Sequence, residues 1–134
     1  MKPVLVDSNI ILDIATDDPN WSDWSATKLE ILADEAILVI NPLIYAEVSV
    51  GFQHIEDLED VVLRELFRRE PLPWEAGFLA GKAFLSYRRR TGSRRSPLPD
   101  FYIGAHAAIR DYRLLTRDNS RYETYFPSLT VIAP

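Results

Sequence analysis

Four carboxylates, Asp7, Glu47, Asp100 and Asp118, are the side chains of this 134-residue chain whose type and position could do chemistry. Carboxylates that lie close together repel one another unless a cation lies among them, and hard divalent ions such as Mg²⁺ prefer oxygen ligands. A metal held by carboxylates can activate water and stabilise the charge that develops on a phosphate during in-line displacement. If the four side chains converge, the sequence therefore favours phosphoryl chemistry that depends on Mg²⁺ or Mn²⁺.

Three of these carboxylates also suit ordinary structural roles. Asp7 follows the apolar run Val4–Val6 and suits a helix N-cap. Asp100 lies in a predicted first helical turn, where negative charge is favourable, and Asp118 suits a turn. Each of these three positions has a structural explanation by itself. The interpretation as a metal site therefore depends on whether the carboxylates lie close together in the fold.

Glu47 is harder to explain as a structural residue. On a helix it shares a face with Leu43 and Ile44, one turn before it. A carboxylate within an apolar stripe is costly unless a positive charge neutralises it, and positions 42–52 contain no lysine or arginine. The alternative is a glutamate that faces solvent.

The elements that must position these residues predict an α/β fold with a mainly parallel sheet, since short apolar strands alternate with helices. Ligands of such sheets bind beyond the carboxyl ends of the strands. The predicted strands cover residues 4–6, 36–40, 114–115 and 129–132. The predicted helices cover residues 8–14, 22–34, 42–52, 56–69, 73–90 and 99–112, with a basic loop over 91–98 and a turn over 117–121.

Length and composition fit one domain over residues 1–134 and exclude several classes of protein. The chain has no cysteine, which excludes a disulfide framework and thiolate zinc sites. No apolar run approaches the ~20 residues that a membrane span requires, and Asp7 comes too early for a secretory signal. We therefore expect a soluble, cytoplasmic protein.

The charge of the chain is unevenly distributed. The net charge of -5 by itself argues against a nucleic-acid partner. Residues 82–99, however, contain one lysine, five arginines and no carboxylate, so they carry +6 and leave -11 for the rest of the chain.

Four short motifs occur in an order typical of one protein family. They are VDSN at 6–9, AE at 46–47, PDFYIGAHA at 99–107 and LLTRD at 114–118. In this order and spacing the chain resembles PIN domains over nearly its whole length, and among them the VapC-like toxins of type II toxin–antitoxin modules.

The resemblance implies a three-layer α/β/α sandwich with a mainly parallel central sheet. It implies an acidic pocket that binds one or two Mg²⁺ or Mn²⁺ ions, and endoribonuclease activity. Carried over by position, the catalytic and metal-binding carboxylates would be Asp7, Glu47, Asp100 and Asp118. The residues that would support them or orient the substrate are Ser8, Asn9 and Thr116. His54 and His106 are expected to be incidental to the chemistry.

The partners that the resemblance implies are an RNA substrate, a second copy of the toxin in a homodimer, and a cognate antitoxin whose C-terminal segment blocks the pocket. Five arginines are then predicted to follow the RNA backbone near the pocket: Arg88, Arg89, Arg90, Arg94 and Arg95. The alternative is a solvated helix end, where cations are favourable.

Four large aromatic side chains are candidate core residues: Trp21, Trp24, Tyr45 and Trp74. If Trp21 and Trp24 prove exposed, they would suit a groove for a partner protein.

Three other classes of protein serve as alternatives. A phosphotransferase of the haloacid dehalogenase type would require an aspartate at position nine, where this chain has Asn9. A receiver domain would require a lysine after the last strand, and residues 130–134 contain none. A non-catalytic PIN-like module that binds RNA or protein would usually lack a carboxylate, whereas all four are present.

Overall fold

Five parallel strands form one central sheet within residues 1–92 and 97–134, the part of the chain that the computed structural model describes. The strands are β1 Val4–Val6, β2 Leu38–Ile40, β3 Phe67–Arg69, β4 Arg113–Leu115 and β5 Val131–Ile132. They are arranged in the order β3-β2-β1-β4-β5, and each neighbouring pair is parallel.

Helices cover both faces of the sheet. The helices are α1 Ser8–Ala15, α2 Ser22–Glu35, α3 Pro42–Ser49, α4 Ile55–Val61, α5 Trp74–Thr91, α6 Leu98–Arg110 and α7 Ser120–Tyr125. Successive side chains of a strand point to opposite faces, and all three residues of β1 are fully buried. Both faces of the sheet are therefore covered, which confirms the predicted three-layer α/β/α architecture.

Capping residues that are recognisable in the sequence mark the starts of α1 and α3, the two helices that begin next to the site. The Asp7 side chain caps α1 by accepting a hydrogen bond from the backbone N–H of Ser8. The Asn41 side chain caps α3 by accepting from the backbone N–H of Ile44, and Pro42 occupies the first helical turn. Both caps follow directly after a strand, so each helix begins at the carboxyl edge of the sheet.

Residues 56–69 do not form the single helix that their apolar spacing predicts. The helix α4 ends at Val61, and the chain then forms β3, which pairs with β2 at the edge of the sheet. Phe67 is the only buried residue of β3, while Arg68 is exposed. An edge strand of this composition has no continuous apolar run, so its sequence did not indicate a strand.

Two smaller predictions also differ from the structure. Residues 117–121, predicted as a turn, lead into the six-residue helix α7, which is too short to show an apolar period. Trp74, a candidate core residue, is 92% exposed at the start of α5.

Trp21 and Trp24 are half-buried and pack edge to face, with their ring centroids 6.3 Å apart. Within the described ranges, no helix combines the length and apolarity needed to cross a membrane.

Candidate active site

Asp7 lies at the centre of the candidate site, at the carboxyl end of β1, and its side chain is 4% exposed. Its Oδ2 accepts hydrogen bonds from Thr116 Oγ1 at 2.9 Å and from the Tyr122 hydroxyl at 3.0 Å. Burial raises the pKa of Asp7 above its usual range, and the negative charge of Asp100 adds to this, although the hydrogen bonds oppose it. Among the described residues, no lysine or arginine forms an ion pair with Asp7.

Glu47 approaches the same site from α3. Its Oε1 accepts a hydrogen bond from Ser8 Oγ at 3.1 Å, which joins α3 to the first turn of α1. Burial, followed by the charge of Asp7, raises the pKa of Glu47 to about 7. The apolar stripe therefore does carry a half-buried carboxylate, as the sequence indicated, and it faces other carboxylates rather than a cation.

Asp100 reaches the site from the first turn of α6 and has a cationic partner. Arg121 Nη1, from α7, donates to Asp100 Oδ2 at 2.6 Å, and each of the two side chains is about one-third exposed. Burial raises the pKa of Asp100 even though the Arg121 guanidinium opposes that change. The guanidinium also lies over the Tyr87 ring, 5.9 Å from its centroid.

Asp118 is the most exposed of the four carboxylates and lies in the loop after β4. Its Oδ1 accepts hydrogen bonds from the backbone N–H of Ser120 at 3.1 Å and from Ser120 Oγ at 2.9 Å. These bonds lower the pKa of Asp118 and begin α7. In this arrangement Asp118 orders the helix that carries Arg121 and Tyr122.

A small cavity of about 70 Å³ brings most of the predicted site residues together. Its lining consists of Asp7, Ser8, Asn9, Asp100, Asp118, Arg121 and Tyr122. Glu47 does not line the cavity but touches it through Ser8. Because β1 and β4 are adjacent parallel strands, the residues that follow them meet at this edge, as the sequence predicted.

The predicted supporting residues form one hydrogen-bonded network behind the cavity. Thr116 Oγ1 accepts from Asn9 Nδ2 at 3.2 Å and from the backbone N–H of Asp118 at 3.2 Å. Its single proton is donated over the shorter distance to Asp7 Oδ2, at 2.9 Å, while the carbonyl oxygen of Asp118 lies at 3.3 Å. Asn9 Oδ1 in turn accepts from the backbone N–H of Arg117 at 3.1 Å. The network holds the loop after β4 against the start of α1.

Sequence reasoning missed three residues that shape the site. Arg121 was overlooked because it ends a segment predicted to be a turn, and Tyr122 because no element was predicted for residues 122–128. Asp13 is 3% exposed and accepts two hydrogen bonds from Arg117, at 2.8 and 3.0 Å, which clamp α1 to the loop after β4. An aspartate within the apolar segment IILDIA carries the same signal that singled out Glu47.

The other predicted functional residues lie apart from this network. Arg88, Arg89 and Arg90 are exposed in the last turn of α5, whereas Arg94 and Arg95 lie outside the described residues. His106 is fully buried, with Nδ1 2.9 Å from Asn41 Nδ2 and Nε2 3.5 Å from Glu70 Oε1. Burial lowers the pKa of His106, which suits a neutral structural side chain.

The chemistry of the site fits a hard divalent cation. Its donors are carboxylate oxygens, and no lysine or arginine within residues 1–92 and 97–134 forms an ion pair with the buried Asp7 or the half-buried Glu47. Their oxygens are not gathered around one point, because no group of three or more acidic or histidine side chains in the described ranges is placed to hold an ion. Arg121 instead occupies an oxygen of Asp100. An ion that coordinates Asp100 Oδ2 would therefore compete with this guanidinium.

Larger cavities elsewhere do not have the same chemistry. A cavity of about 340 Å³ lies at the carboxyl ends of β2 and β3, where it is lined largely by apolar surface from residues such as Tyr45 and Pro42. Arg69, which also lines it, is bonded to Glu59 at 2.6 Å. We assign the candidate site to the smaller cavity because three carboxylates line it, those of Asp7, Asp100 and Asp118, whereas Glu70 alone lines the larger one.

Comparisons with solved structures show that the fold has known counterparts. The chain is similar to the complex VapBC2 of Rickettsia felis bound to a promoter DNA fragment, with 17% identity, a TM-score of 0.74 and coverage of 98% of both chains. VapBC-1 of nontypeable Haemophilus influenzae gives 20% identity and a TM-score of 0.69, covering 98% of this chain and 97% of the other. VapC20 of Mycobacterium tuberculosis, a toxin that cleaves the sarcin–ricin loop, gives 10% identity and a TM-score of 0.66, covering 90% of this chain and 94% of the other.

Two comparisons were made by sequence. No curated protein sequence matches the chain significantly. The sequence model of one family, described as PIN domain, matches residues 4–127, nearly the whole chain and all four candidate carboxylates. This chain therefore belongs to the PIN-domain family.

Proposed function

We propose that this protein is a Mg²⁺- or Mn²⁺-dependent endoribonuclease, and that it is the toxin of a toxin–antitoxin pair. The observation that carries the proposal is the buried Asp7 carboxylate, which lies near Glu47 and Asp100 and has no cationic partner in the described ranges. Membership of the PIN-domain family supports nuclease chemistry. The structures of similar fold, which include VapBC complexes and a toxin that cleaves the sarcin–ricin loop, support the toxin assignment.

Each carboxylate has a distinct part in this proposal. Asp7 and Asp100 would hold the ion, Glu47 would complete the site from α3, and Asp118 would approach it from the loop after β4. A bound divalent cation supplies Lewis acidity towards water and towards a phosphodiester. Thr116 and Tyr122 donate to Asp7 Oδ2 and so fix the direction of its remaining lone pairs.

The surroundings of the cavity suggest how RNA would approach. The site opens at the edge of the sheet where α6 begins, and α5 ends close to it in the exposed Arg88, Arg89 and Arg90. These arginines would contact the RNA backbone, whose affinity depends largely on such charges. Arg94 and Arg95, which follow in the sequence, would extend the same basic segment.

The partners and location remain proposals of the same kind. We expect a single functional domain over residues 1–134, a homodimer, a cognate antitoxin that blocks the pocket, and a cytoplasmic location. Co-expression with the product of the neighbouring reading frame, followed by purification of this chain, would test the antitoxin: a stable complex with lowered nuclease activity is expected.

Cleavage of a cellular RNA pool tests the catalytic proposal directly. Purified protein is incubated with Mg²⁺, Mn²⁺ or EDTA, beside Asp7→Asn, Asp100→Asn and the matched control Asp57→Asn, which changes an exposed aspartate of α4. Discrete cleavage should require metal, persist in the control and disappear in the two site variants.

Metal binding measured by calorimetry separates the two classes of function. If folded protein neither cleaves RNA nor binds Mg²⁺ or Mn²⁺, the catalytic proposal fails and a non-catalytic PIN-like binding module takes its place. Metal binding without cleavage of RNA would retain the metal site and redirect the search to another phosphoryl substrate.

A further inference from the structure

The outer face of α5 carries exposed aromatic and basic side chains that the other described elements leave uncovered. Trp74 is 92% exposed and Phe78 is 73% exposed. At 100° per residue, one arc of about 80° contains Trp74, Phe78, Lys82, Leu85 and Arg89. The opposite side of the helix contains the buried Ala76, Ala80 and Ala83. We refer to these five exposed residues as the α5 stripe.

The charge of the α5 stripe is opposite to that of the chain as a whole. Helix α5 contains four basic residues and one acidic residue, Glu75, in a chain of net charge -5. Lys82 Nζ lies 5.1 Å from the centroid of the Phe78 ring, so a cation and an aromatic face are presented together. A surface hollow of about 470 Å³ lies along the stripe, lined by Lys82, Leu85, Ser86, Arg89 and Arg90.

The stripe ends at Arg89 in the last turn of α5, and that turn contacts the candidate active site through Tyr87, on the opposite side of the helix. The Tyr87 ring packs on Phe101 with 5.5 Å between centroids and lies under Arg121, which is bonded to Asp100. Four residues separate the carboxyl end of β3 from the first residue of α5. From Trp74 to Arg89 the stripe spans roughly 22 Å at 1.5 Å per residue.

Taking the proposed ribonuclease function as its basis, we propose that the α5 stripe binds single-stranded RNA that flanks the site of cleavage. Bases would stack on Trp74 and Phe78, and phosphates would pair with Lys82 and Arg89. Aromatic side chains next to cations suit single strands, because every base has a face that stacks and every nucleotide carries one negative charge. A second copy of this chain fits less well, since a two-fold contact would bring this positively charged face against itself.

Binding of a labelled RNA tests the proposal without depending on catalysis. The probe is a single-stranded 12-nucleotide RNA of mixed sequence with a 5′ fluorescein, titrated with the Asp7→Asn protein in EDTA and followed by anisotropy. Trp74→Ala and Phe78→Ala should each weaken binding by about 5- to 150-fold, the range found for loss of one stacked base. Trp74→Phe keeps an aromatic ring and should restore most of the affinity.

Salt dependence tests the basic part of the stripe. Lys82→Gln should reduce the slope of log K against log salt by about 0.7, the value for one phosphate contact on a single strand. The matched controls are Val50→Ala, an exposed apolar residue at the end of α3, and Arg110→Gln, an exposed arginine at the far end of α6. Neither control should change the affinity by more than about twofold.

Two results would overturn the proposal. One is an RNA affinity that is unchanged in Trp74→Ala and Phe78→Ala proteins that circular dichroism shows to be folded. The other is a shift from dimer to monomer in these variants, by sedimentation, with unchanged RNA affinity, which would assign the stripe to a second copy. RNA that binds through the stripe but is never cleaved by the unmutated protein would refute the proposed function and leave this inference intact.

Discussion

Glu47→Gln should stabilise the metal-free protein at alkaline pH and have little effect in acid. Glu47 is half-buried among carboxylates, and its pKa is raised from the ordinary 4.5 to about 7. A carboxyl group with a raised pKa in the folded state destabilises that state at pH values above the folded pKa. This penalty is lost as the pH falls through about 7 towards 4.5. Glutamine has nearly the same shape and carries no charge at any pH.

The size of the effect follows from the pKa. At 1.36 kcal/mol per pKa unit, a rise from 4.5 to about 7 corresponds to about 3 kcal/mol. Because Glu47 is only half-buried, solvent screening reduces this to roughly 1–2 kcal/mol. We therefore expect Glu47→Gln to raise the free energy of unfolding by that amount at pH 8.5 and by much less at pH 5.

Urea denaturation in EDTA at these two pH values measures the difference. Glu30→Gln, which changes an exposed glutamate of α2, is the matched control and should alter stability by less than about 0.5 kcal/mol at either pH. Adding Mg²⁺ at pH 8.5 should reverse the order, since only the glutamate protein retains that carboxylate for the ion. A stability difference that is the same at both pH values would refute the raised pKa, and with it the picture of Glu47 facing other carboxylates.

Three further substitutions test other contacts of the site. Arg121→Gln should tighten Mn²⁺ binding up to about fivefold in calorimetry, because the metal ion no longer competes with a partly exposed guanidinium for Asp100; weaker binding would contradict this. Asp13→Ala should lower the free energy of unfolding by about 2–3 kcal/mol in urea denaturation, since it leaves the partly buried Arg117 unpaired. A loss below about 0.5 kcal/mol would show that the ion pair between Asp13 and Arg117 contributes little to stability. Gly104→Ala should lower the melting temperature, because the new Cβ would lie 2.7 Å from Phe126 Cε2 and overpacking costs about 1–3 kcal/mol. This cost outweighs the greater helix propensity of alanine. A higher melting temperature would mean that the Phe126 ring moves aside freely.

The sequence predicted the elements whose signals are local. The strands β1 and β2 are continuous apolar runs, and Asn41 followed by Pro42 is a helix start that can be recognised without knowing any partner. The strand β3 was missed because it pairs at the sheet edge with two arginines in its three residues. The helix α7 was missed because six residues contain too little of a 3.6-residue period to be recognised.

The sequence by itself determined the α/β class of the fold, the family motifs and the four carboxylates that could meet at one edge of a parallel sheet. Only the tertiary structure decided how they are held, because Asp7 bonds to Thr116 and Tyr122, which lie 109 and 115 positions away along the chain. It also decided that Arg121 pairs with Asp100 and that Trp74 faces solvent. Helix α5 has apolar residues on both its faces, so its own periodicity could not distinguish the side that packs on α6 from the side left exposed. Ion pairing and burial depend on segments that are distant in the sequence, and these become neighbours only when the sheet and its covering helices assemble.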